Sequence, residues 1–105
     1  MNIYTPHGFD RILQKYKDGG VRKEQWLAYC DQYLDRLMVY HKKALKRIKV
    51  QSTSKFRFTV EEYDAFWKNY SIGAMRKHVW QDYTMQYIMA LMDKHKDLMY
   101  QLKVK

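Results

Sequence analysis

The sequence predicts an all-α fold: a small bundle of about four helices, two of them long and antiparallel, in one domain spanning 1–105. Three observations predict it. Apolar residues recur at steps of three and four over two long stretches. The helix-breaking signals fall at only three places, Gly19-Gly20, the segment 51–58 and the segment 71–73. The single proline, Pro6, stands where a helix can begin. At 47% apolar and 30% charged the composition is that of a globular protein rather than a disordered one.

The first helix is expected over 6–18. Thr5 is its N-cap, Pro6 its first residue, and Phe9, Ile12, Leu13 and Tyr16 its apolar face. Gly19 supplies the left-handed residue that ends it. The second helix, about 22–50, shows the cleanest periodicity: Leu27, Cys30, Leu34, Leu37, His41, Ala44 and Ile48 form a packing seam. A polar break follows at 51–58, where Lys55-Phe56-Arg57-Phe58 alternates and suits a short extended segment. The third helix starts at a capping box, Thr59 with Glu62, with Phe58 stapled on Tyr63, and ends near Tyr70. The fourth is expected over 72–103 with Ser71 as its cap. Its apolar arc, which includes Trp80, Tyr83, Tyr87, Ile88, Leu91 and four methionines, is about 240° wide, far beyond a one-sided surface helix. Such a helix is either central or covered by a second subunit, so a homodimer through 72–103 is one expectation. No internal repeat or low-complexity tract is read in the pattern.

Charge carries the functional reading. The chain has a formal net charge of +9, and no acidic residue stands between Arg36 and Glu61. That window holds Lys42, Lys43, Lys46, Arg47, Lys49, Lys55 and Arg57. On a continuous helix the first five span an arc of about 160° opposite the seam. Concentrated cations attract polyanions and neutralise phosphates. The expected function is therefore non-enzymatic binding of nucleic acid, DNA or RNA, through this face and loop. Phe56 and Phe58, beside Lys55 and Arg57, are candidates for base stacking. The joint between the third and fourth helices resembles a helix-turn-helix, which would make Arg76, Lys77 and Gln81 candidate base readers. The bland alternative is a solvated helix end whose cations suit the C-terminal dipole.

Two rival expectations stand beside this one. The chain could be an adaptor or inhibitor that docks on an acidic protein through Tyr- and Met-rich surfaces. It could also be a self-associating structural subunit. No metal and no cofactor are expected: His41 and His95 lie in apolar stripes without further ligands, and His78 with Asp82 is an ordinary i, i+4 surface pair. Glycine-rich phosphate loops, nucleophile elbows and zinc-protease motifs are missing, so no enzyme is expected. Cys30 occupies a seam position, as a small core residue does. One cysteine, no signal-peptide pattern and no span of about 18 apolar residues lead to a cytoplasmic expectation with no membrane.

Overall fold

The computed structural model describes residues 3–51, 55–102 and 104. Ser52–Ser54 of the expected loop and Lys103, the expected end of the fourth helix, lie outside them. The fold is all-α: α1 (Pro6–Lys17), α2 (Lys23–Leu45), α3 (Val60–Ser71) and α4 (Lys77–Leu102), with no strand among the described residues.

Local chemistry sets the short helices as expected. Thr5 Oγ1 accepts from Gly8 N–H at 3.0 Å, and Thr59 Oγ1 accepts from Glu62 N–H at 3.1 Å. Gly19 (φ 84°) and Gly73 (φ 82°) take the left-handed conformation that stops α1 and α3. In each case the next residue closes the turn: Gly20 N–H donates to Lys15 O and Ala74 N–H to Asn69 O, both at 2.8 Å. Ser71 is the last residue of α3 rather than a cap for α4; its hydroxyl donates back to Lys68 O.

The long helices depart from expectation in two ways. First, α2 is bent at His41 (φ −129°, ψ 24°) and ends at Leu45, and α4 is bent at His95 (φ −129°, ψ 29°). No proline or glycine marks either bend. Second, α2 and α4 run in the same direction, not antiparallel. A 23-residue helix is about 35 Å long, so antiparallel partners would hold their first turns that far apart. Instead those first turns line one cleft, through Glu24 and Gln25 of α2 and Lys77 and His78 of α4. Farther on, Trp80 Nε1–H donates to Asp31 at 2.8 Å, and at the bend in α4 His95 Nε2 lies 3.1 Å from Lys49 O, which follows the bend in α2.

These matched features expose an internal repeat that the linear pattern hid. Residues 54 apart play the same part, with no gap: Thr5 and Thr59, Asp10 and Asp64, Tyr16 and Tyr70, Gly19 and Gly73, Trp26 and Trp80, Tyr29 and Tyr83, Tyr33 and Tyr87, His41 and His95. Their contacts repeat as well. Tyr16 stacks on Trp26 with ring centroids 5.4 Å apart, and Tyr70 stacks on Trp80 at 5.3 Å. Tyr29 meets Tyr33 edge-on at 5.8 Å, and Tyr83 meets Tyr87 edge-on at 5.9 Å. Two ion pairs cross between the halves: Lys42 of α2 with Asp64 of α3, and Lys96 of α4 with Asp10 of α1. Exchanging the halves maps one pair onto the other, so the halves are related by an approximate two-fold axis.

The halves share one core, and the α2–α4 contact is the largest between helices. α2 buries a second stripe beside its expected seam, with Trp26, Tyr29 and Tyr33 joining Cys30, Leu34 and Leu37. On α4, Trp80, Tyr83, Thr84, Tyr87, Ile88, Leu91, Met92 and Met99 are buried. Its wide apolar arc is thus covered mostly from within the chain, by the other half, and does not by itself call for a second subunit. No described helix is long and apolar enough to cross a membrane.

Candidate nucleic-acid interface

The basic tract starts at the bend in α2 and follows the chain out of the helix. Lys42 and Lys43 are in the last helical turn. Beyond Leu45 the backbone tightens, with Arg47 N–H bonded to Ala44 O and Ile48 N–H to Leu45 O. Lys46, Arg47 and Lys49 therefore leave the helix through a turn, and the expected single 160° helical face does not form. Lys43, Lys46, Arg47, Lys49, Lys55 and Arg57 are nonetheless all exposed, and no ion pair engages them among the described residues.

Lys42 differs from its neighbours. Its Nζ lies 2.8 Å from Asp64 Oδ1 and is half withdrawn from solvent. The equivalent Lys96 is held by Asp10, a hydrogen bond that raises the pKa of its ammonium. This lysine belongs to the scaffold in both halves, so six cations of the expected seven remain for a ligand.

Comparing the halves separates what the fold requires from what it leaves open. Where the first half has Lys43, Lys46 and Arg47, the second has Asp97, Tyr100 and Gln101. The backbones match at the first of these places, where Lys43 and Asp97 are both helical; α2 has ended where Lys46 and Arg47 stand, whereas α4 is still helical at Tyr100 and Gln101. Packing does not demand three cations there, because all three side chains are exposed, although Lys43 and Lys46 also suit the C-terminal dipole of α2.

The two phenylalanines of the loop are core plugs. Phe58 is 4% exposed, against Tyr83 and Tyr87, and its equivalent Tyr4 packs on the equivalent rings, Tyr29 and Tyr33, at different angles. Phe56 meets Phe66 and Tyr83 edge-on. Neither offers a free ring face as a stacking platform. The exposed aromatic in this region is Tyr40, one helical turn before Lys43, with Val39 beside it. Sequence reasoning passed over it because it lies off the seam. Its signal was the repeat: at the equivalent positions the second half has Asp93 and Lys94.

The candidate base readers lie elsewhere. Arg76 and Lys77 are exposed and Gln81 is half-buried, at the start of α4. Lys77 and Gln81 line the cleft of about 640 Å³ between the first turns of α2 and α4, together with Glu24 and Gln25. The structure does not bring them together with the basic tract, and Glu24 sets a carboxylate in the same cleft. Just beyond that first turn of α4, Trp80, Tyr83 and Thr84 are buried.

The remaining chemistry-bearing groups are structural. Cys30 is fully buried, and burial raises its thiol pKa well above the ordinary value, which keeps it protonated. Burial likewise raises the phenols of Tyr29, Tyr63 and Tyr83. Asp31 is raised chiefly by burial, opposed by the Trp80 hydrogen bond. Among the described residues no group of three His, Cys, Asp or Glu side chains could hold a metal ion. No protein-family model matches the chain, and no curated protein or solved structure matches it.

Proposed function

We propose that this protein binds nucleic acid through the exposed cations Lys43, Lys46, Arg47, Lys49, Lys55 and Arg57. The observation that carries the reading is the asymmetry between the halves. A duplicated scaffold repeats its capping, stacking and ion pairing, yet one half alone has the three adjacent cations Lys43, Lys46 and Arg47. Exposed charges placed together and not neutralised by described carboxylates suit a polyanionic partner. Binding acts mainly on phosphates, so sequence preference is weak.

A titration with fluorescent single- and double-stranded oligonucleotides at several salt concentrations tests this. Four to six neutralised phosphates give a slope of log K against log salt of about −3 to −4 on a single strand and about −3.6 to −5.4 on duplex. No binding of either form at low salt would overturn the proposal.

A second reading, docking on a protein, is favoured by Trp67 and Ile72, which are 45% and 70% exposed around the end of α3. Retention of a partner on the protein after nuclease treatment separates it from the first.

A further inference from the structure

The bend at His41 is the centre of a shallow groove of about 580 Å³, lined by residues 39–44 and by Lys46. Two features of this groove are unusual for a solvated helix. Val39 and Tyr40, large and apolar, are 67% and 57% exposed. They adjoin Lys43 and Lys46, which have no described ion-pair partner. Neither apolar side chain is demanded by the scaffold, because Asp93 and Lys94 fill the equivalent places beside the equivalent bend.

The geometry points to a binding site for single-stranded nucleic acid in this groove, with an unpaired base stacked on the Tyr40 ring and the flanking phosphates on Lys43 and Lys46. The inference rests on the nucleic-acid reading above and adds to it the kind of strand. Three chemical points carry it. An aromatic face open to solvent gives up water at little cost and stacks on any base. Cations one and two turns along neutralise phosphates on either side of a stacked base. A base in a duplex has both faces covered by its neighbours and cannot offer one to Tyr40, so the ring discriminates in favour of the single strand. A phenol is also the less helpful residue for a surface that meets only phosphates, where a lysine, as at position 94, serves better.

The test uses the full chain and four fluorescein-labelled probes: a 15-nucleotide oligodeoxythymidylate, an oligouridylate of the same length, and each paired with its complement. Tyr40→Ala is expected to weaken single-strand binding by about 5- to 150-fold, the range of one lost base–aromatic stack, and to leave duplex binding unchanged. Tyr40→Phe keeps the ring face and keeps the affinity. Tyr40→Trp adds an exposed indole whose emission is quenched when a single strand binds. Binding of either single strand supports the inference, and the tighter one names the preferred sugar.

Two results overturn it and leave the phosphate reading standing. One is unchanged single-strand affinity in Tyr40→Ala while Lys43→Glu, Lys46→Glu and Arg47→Glu together abolish binding. The other is an equal loss on duplex and single strand, which would make Tyr40 a general contact. Failure of the unaltered protein to bind any of the four probes overturns both readings together. Circular dichroism of each variant, expected to match the parent because the altered side chains are exposed, separates lost binding from lost folding.

Discussion

The second half of the chain provides replacements for the first. Exchanging Lys43→Asp, Lys46→Tyr and Arg47→Gln installs the residues found 54 positions on, at Asp97, Tyr100 and Gln101. The change lowers the formal charge of +9 by four. It removes three exposed side chains with no described ion pair, and the main cost is the lost cation at the C-terminus of α2, so stability should fall by about 1 kcal/mol. Binding should change far more. Three lost phosphate contacts on a single strand reduce the salt slope by about 2, which at 0.15 M salt corresponds to about a 50-fold loss of affinity from counterion release alone. Fluorescence anisotropy with a labelled oligonucleotide measures the affinity and its slope, and thermal unfolding checks the fold. The reciprocal exchange, Asp97→Lys, Tyr100→Lys and Gln101→Arg, should strengthen binding by building a second basic tract. A folded triple variant with the parent's affinity and slope would show that the asymmetry is surface variation without consequence for binding, and the reasoning from duplication would fail.

Other outcomes follow from the scaffold. Asp64→Asn releases Lys42 from its ion pair and should raise oligonucleotide affinity measurably, while costing at most about 1 kcal/mol of stability because both partners are half-exposed. Gly19→Ala and Gly73→Ala should each destabilise by about 1–2 kcal/mol, and by similar amounts, because both glycines hold positive φ with open space around the missing Cβ. Unequal losses in chemical denaturation would contradict the equivalence of the two turns. Asp31 has a carboxyl pKa raised by burial, so the native state holds its proton more tightly than the unfolded chain. Its contribution is therefore favourable at acid pH and is lost as pH rises through the native pKa. Asp31→Asn, which can still accept from Trp80, should accordingly stabilise at pH 7 and lose that advantage towards pH 3; an advantage independent of pH would refute the burial argument.

Much of the fold was legible because it is set locally. Thr5, Pro6, Thr59, Gly19 and Gly73 announce the ends of α1 and α3 within a few residues of where they act. The end of α2 was not legible: the bend at His41 involves neither proline nor glycine, and the seam continues to Ile48 as though the helix did. The direction of α4 relative to α2 is a long-range property, fixed by contacts such as Asp31 with Trp80 that no periodicity reports. The repeat escaped notice because its identities are scattered singly between diverged surfaces, and only shared roles such as the Tyr16–Trp26 and Tyr70–Trp80 stacks make them conspicuous. For the site, the charges were plain in the sequence, but their pairing was not. Lys42 meets a carboxylate 22 residues away on another helix, Phe58 is spent on the core, and the accessible ring belongs to Tyr40.

The amide spectrum of isotope-labelled protein, recorded as an oligodeoxythymidylate is added, tests the central claim most directly, since the duplication builds a control into the molecule. The account predicts shifts concentrated at residues 39–49, 55 and 57, with the equivalent stretch from 93 to 102 largely unmoved. Shifts spread equally over both halves, or centred on the start of α4, would contradict it.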